Sequence, residues 1–199
     1  MTVRRRVRTA SAAFVIAAAG LTAVAAAAGL TAAAQGKAET LTATATVKGA
    51  GGATASAPVT VVITRTMPQQ EVEKLVAALN AGGAAALRKA FEGVPPTGSV
   101  RIGNGAATPT RITIERATDK GRLLTIVTDQ PLLFVGASLP GAKPKAGYDF
   151  GVLDIEVDAS GAGSGTLAPA ATIKVSGNAI VVGDYGAETV RLVDVKRAR

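Results

Sequence analysis

Short β-branched runs, parted at near-regular spacing by glycine-rich turns, constrain this chain more than any other feature. Val59-Thr60-Val61-Val62-Ile63-Thr64 is β-branched throughout. Two heavy atoms on Cβ crowd a helical turn but pack well on a pleated surface, so the run predicts a strand. Leu41 to Val47 alternates threonine with apolar residues and predicts another. Ser99 to Ile102 is a short strand closed by Gly103-Asn104-Gly105. Arg111 to Arg116 and Leu123 to Thr128 flank Asp119-Lys120-Gly121, the pattern of a hairpin. Beyond a Pro/Gly/Lys loop over 136–147, further strands are expected at 152–158, 166–175, 179–182 and 189–195. Many short strands of this kind predict an antiparallel sandwich or barrel.

One segment changes period. Thr66 is followed by Pro68 and Gln69, the pattern of a capped helix start, and Val72, Leu75, Val76 and Leu79 then share one helix face. Gly82-Gly83 ends that helix, and a second short one, from Ala84 to Phe91, stops before Pro95-Pro96. The expectation is a helical hairpin over about 67–92, inserted in an α+β, β-dominated antiparallel sandwich or barrel-like domain. No internal repeat is present.

The amino terminus has a different logic. Arg4, Arg5, Arg6 and Arg8 precede a small-apolar run from Ala10 to Ala34. A basic start, an apolar middle and a small-residue exit are the parts of a secretory signal peptide. Cleavage is expected after Ala34, before Gln35, with Ala38 before Glu39 as the second choice. The rival is an uncleaved membrane anchor, since the run is long enough to span a bilayer. Alanine dominates it, which favours cleavage. Residues 35–57 then form a flexible lead-in or first strand, and 58–199 a single β-rich globular domain. The expected location is periplasmic or extracellular, by the general or the twin-arginine route.

The formal charge is +8, and it falls to +4 once the four leader arginines are set aside. That balance keeps a domain soluble and names no partner. Aromatic residues are few, with no stacking platform beside a basic stripe, so nucleic acid is not expected as a partner.

Histidine and cysteine are both absent. This removes Ser-His-Asp and Cys-His nucleophilic sites, and with them imidazole- or thiolate-bound metals. A lipoprotein anchor, which needs an acylated cysteine, is also excluded. Any catalysis rests on carboxylates, lysine, tyrosine or serine paired with lysine.

Three constellations carry the remaining chemistry. On a strand, Asp154, Glu156 and Asp158 share one face, with Leu153, Ile155 and Val157 on the other. Oxygen-only ligands suit Ca²⁺, but Ala159 stands where a calcium loop needs glycine. The competing reading is a solvated strand face paired to Lys174 or Arg191. Gly161-Ala162-Gly163-Ser164-Gly165 is followed by no helix start, so it reads as a glycine turn or bulge and not a phosphate cradle. Asp129, in Thr128-Asp129-Gln130-Pro131, with Tyr148 and Phe150 after the apolar 132–135 stretch, either rims a ligand pocket or closes one end of the domain. The terminal Lys196-Arg197-Ala198-Arg199 reads as a solvated tail.

The order of these motifs resembles that of a family of exported bacterial proteins of unknown function, over roughly 58–195. The likeness runs through Gly98-Ser99-Val100-Arg101-Ile102, Thr128-Asp129-Gln130-Pro131 and Tyr148-Asp149-Phe150 to Gly161–Gly165, Tyr185 and Arg191-Leu192-Val193-Asp194-Val195. Gln130 and Ser164 depart from its pattern, where arginine and glutamate are expected. The resemblance implies export and one domain, and brings no catalytic role. The expectation is a non-enzymatic envelope or secreted protein, binding a small molecule or another envelope protein through one end of a β-rich domain. The alternatives are a carboxylate hydrolase, with or without Ca²⁺, and a membrane-tethered accessory protein that keeps its leader.

Overall fold

The computed structural model describes residues 38–48, 54–132, 146–177, 179–186 and 189–198. The expected leader, over 1–34, and most of the expected 136–147 loop lie outside them. In chain order the elements are β1 (Glu39–Lys48), β2 (Thr54–Ile63), α1 (Gln69–Phe91), β3 (Gly98–Ile102), β4 (Thr108–Thr118), β5 (Gly121–Thr128), β6 (Phe150–Val157), β7 (Gly163–Ser176), β8 (Ala179–Tyr185) and β9 (Val190–Arg197).

All pairings are antiparallel, and they close on themselves. The order β6-β5-β4-β3-β2-β1-β9-β7 returns to β6 through a β6–β7 ladder, giving an eight-stranded barrel with β8 added to the free half of β7. The stretch read as a lead-in is in part a full stave: β1 pairs with β2 on one edge and with β9 on the other. Eight strands leave an interior that side chains just fill. Leu41, Ala43, Ala45, Val59, Val61, Leu124, Ile126, Leu153, Ile155, Leu167 and Leu192 fill this one. The period-two alternation places them there, with Thr42, Thr60, Asp154 and Thr166 facing outward.

Closure depends on the glycine-rich stretch. A turn runs from Asp158 to Ala162, and the β7–β9 register shifts between Gly163 and Gly165, so this stretch is the turn and bulge expected of it. A Cβ on Gly163 would lie 1.9 Å from the Glu156 carbonyl oxygen, and one on Gly165 2.4 Å from that of Asp154. Only glycine lets β6 and β7 approach this closely.

The outside of the barrel is apolar along one row. Ile112, Val127, Val152 and Ala168 lie in register across β4, β5, β6 and β7. Helix α1 buries Val72, Leu75, Leu79, Leu87 and Phe91 in a second core with that row, together with Ile173 and Ile180 of the β7–β8 hairpin. As expected, Gly82 and Gly83 leave helical dihedrals and divide α1 into two helical stretches across a kink; the finer expectation, a hairpin over 67–92, is not shown. The expected Thr66 cap is not made either: Pro68 is the N-cap, with no side-chain bond. Its carbonyl accepts the Glu71 and Val72 amides instead.

One end of the barrel is closed by charge. Glu39 and Arg122 continue the inward-facing series of Leu41 and Leu124, and β1 and β5 are four strands apart either way round the ring. Arg122 crosses the mouth to reach both Glu39 oxygens and also bonds Glu115 at 2.9 Å. Arg197 bonds Glu39 at 2.7 Å from β9. Burial alone would push the Glu39 carboxyl up. The hydrogen bonds and charges of Arg122 and Arg197 outweigh it and hold the group below its ordinary value.

Candidate functional site: an outer groove

The acidic strand has the expected alternation, with Leu153, Ile155 and Val157 buried inward and Asp154 and Glu156 outward. The three carboxylates do not converge. Asp154 accepts a 2.7 Å bond from Thr125, and Glu156 a 3.0 Å bond from Thr118. Asp158 Oδ1 takes the Ser160 hydroxyl, the Ser160 amide and the Ala162 amide at 2.6 to 3.0 Å. The Ser160 hydroxyl leads in holding the Asp158 carboxyl below its usual value, followed by the Ala162 amide. Calcium needs oxygens meeting at one point. Asp154, Glu156 and Asp158 serve three separate local structures, and no group of three possible ligands occurs among the described residues. Lys174 and Arg191 are not the direct neighbours of the acidic strand. Asp154 pairs across with Thr125 and Thr166, and Glu156 with Leu123 and Ser164.

The expected rim divides in the same way. Phe150 is fully buried and meets Phe91 edge-on at 6.4 Å, with the Arg88 guanidinium 5.8 Å above its ring. It is a core residue between helix and barrel, not part of a rim. Asp129 pairs with Arg111 at 2.6 Å. Tyr148 donates to Asp184 at 2.5 Å, which raises the phenol above its ordinary value. Thr128, beside Asp129, accepts the Gly151 amide and donates to the Gln130 carbonyl. These bonds fasten the barrel end, with Asp129 held to Arg111 and Tyr148 to Asp184.

Another surface has the attributes of a site. The β7–β8 hairpin parts from β6 beyond the Phe150–Ala171 pair and faces the outer barrel wall across a groove of about 280 Å³. Val127 and Val152 line the barrel side, and Ile173, Ile180 and Val182 the hairpin side. Polar groups stand among them: Arg116 of β4, Thr125 of β5 and Asp154 of β6. Tyr185, half exposed, stands at the β8 end. Asp154 is the one expected site residue that the groove contains. The rest were not read from the sequence, because their convergence depends on β8 folding back over β4–β6. A lone β-branched triplet, Ile180-Val181-Val182, gives no sign of what it will face.

Compared with known proteins, the chain matches no family model, no curated protein and no solved structure. No helix among the described residues is long and apolar enough to cross a membrane.

Proposed function

We propose that this is an exported, non-enzymatic binding protein whose ligand lies in the outer groove. The basic, alanine-rich leader supports export, and the missing histidine and cysteine argue against most nucleophilic and metal-assisted chemistry. The observation that carries the binding reading is the groove itself. It sets a guanidinium and a carboxylate on a branched-aliphatic surface, the mix of an apolar lining and a few placed polar groups that holds small molecules. Its volume of about 280 Å³ lies just below the range of about 300–1,000 Å³ for drug-sized ligands, which suits a smaller molecule.

The test is an amide NMR screen of the exported protein against mixed small-molecule pools. Binding in the groove shifts resonances around Val127, Val152 and Ile180 and leaves the β1–β2 hairpin still. Shifts confined to the opposite wall, or none from any pool, overturn the assignment. The mass of the same preparation tests export: loss of residues 1–34 supports it, and an intact leader supports the tethered alternative.

A further inference from the structure

Two charges of opposite sign line the groove without meeting. The Arg116 guanidinium has no hydrogen bond or ion pair among the described residues. Asp154 has only the Thr125 bond on Oδ1, which leaves Oδ2 without a partner there. The sheet explains why they stay apart. Arg116 pairs with Leu123, and Asp154 with Thr125, so the two sit two strands apart and two residues out of row. With strands ~4.8 Å apart and a rise of ~3.4 Å per residue, their Cα atoms are separated by about 12 Å. An extended arginine side chain is long enough to span much of that gap, which leaves room for a small head group between the two charges.

Each simpler ligand leaves one charge opposed. An inorganic anion drawn to Arg116 meets the Asp154 carboxylate, and a cation drawn to Asp154 meets the guanidinium. The floor of Val127, Val152, Ile173 and Ile180 gives a planar ring no stacking surface, with Tyr185 standing only at the β8 end, and a long acyl chain exceeds the volume. A head carrying both charges satisfies both groups, and a short branched body fits the aliphatic floor. We infer that the groove is built for a small aliphatic zwitterion of the amino-acid type, its ammonium on Asp154 and its carboxylate on Arg116. This rests on the groove being the binding site.

The experiment titrates the exported protein, followed by amide NMR, with L-leucine and its single-charge relatives 4-methylpentanoate and 3-methylbutylamine. Glycine tests the need for a body, and inorganic phosphate, calcium chloride and octanoate represent the other classes. Leucine is expected to shift the groove resonances, with each single-charge relative and glycine at least tenfold weaker. Asp154→Asn should weaken leucine about tenfold while sparing 4-methylpentanoate, and Arg116→Gln should weaken leucine while sparing the amine. The wild-type series stands without the variants, should either fail to fold. A single-charge relative that equals leucine overturns the zwitterion. Phosphate, calcium or octanoate moving the groove while leucine does not overturns it too, and keeps the groove as a binding site. If no probe moves the groove, both readings fall.

Discussion

Glu39 and Arg122 show how much one ion pair does when it crosses a barrel mouth. Each continues an inward-facing row, so neither turns away to solvent without breaking its strand's register. Replacing Arg122 with Met leaves Glu39 with Arg197 alone and Glu115 without its guanidinium. The expected loss is about 1–3 kcal/mol, the range for removing a charged hydrogen-bond partner that is only partly buried. Urea denaturation at pH 7 measures it. The pH dependence has a definite sign. The folded Glu39 carboxyl lies below its unfolded value, so its contribution is complete above the ordinary carboxylate range. It fades as pH falls through the lower folded value. The difference between wild type and Arg122→Met should therefore shrink from pH 7 to pH 3, and a constant difference would contradict this. Parity marks Glu39 and Arg122 as charges at inward positions. It does not say that they meet, since that follows from closure of the ring.

At the scale of elements, the seam between β6 and β7 and the helix on the outer wall carry the most consequence. Gly163→Ala drives a methyl group into the Glu156 carbonyl and is expected to cost about 3 kcal/mol or more, in the tail of single-substitution effects. Ser164→Ala, exposed beside it, should stay within about 0.5 kcal/mol. Thermal unfolding of the pair separates a steric seam from general sensitivity of the turn. Phe91→Ala empties the contact with Phe150 and Leu87 and is expected to cost about 3–5 kcal/mol. A loss under 1 kcal/mol would show that α1 is not part of the core. Most of these elements were legible in advance. The β-branched runs, the Asp119-Lys120 turn and the Val72-Leu75-Leu79 face all follow from local sterics and periodicity. The break at Gly82-Gly83 is legible too, since paired glycines leave helical dihedrals, but no local pattern says whether the chain then reverses. The acidic strand was legible in its alternation and not in its partners. Thr125 and Thr118 are brought to it by strand pairing that no local pattern records.

For the whole molecule, closure is the organising fact. A sandwich and a barrel share the same alternation, so the sequence supports both, and the β1–β9, β7–β9 and β6–β7 ladders together decide between them. Closure fills the interior, and on the outside the longest strand, β7, outlasts its β6 and β9 neighbours and carries β8 over the wall. The groove is thus a consequence of strand length. Shortening the hairpin to a direct turn after Ala171 should abolish ligand-induced groove shifts while the barrel amides keep their protection. The most direct test of closure is native-state hydrogen exchange, read at the amides of β7 and β9 that pair between Gly165 and Leu192. A closed barrel predicts protection there equal to that of the β1–β2 and β5–β6 ladders, near the global unfolding free energy. Fast exchange confined to the facing edges of β7 and β9 would mean an open sheet, and would contradict the account.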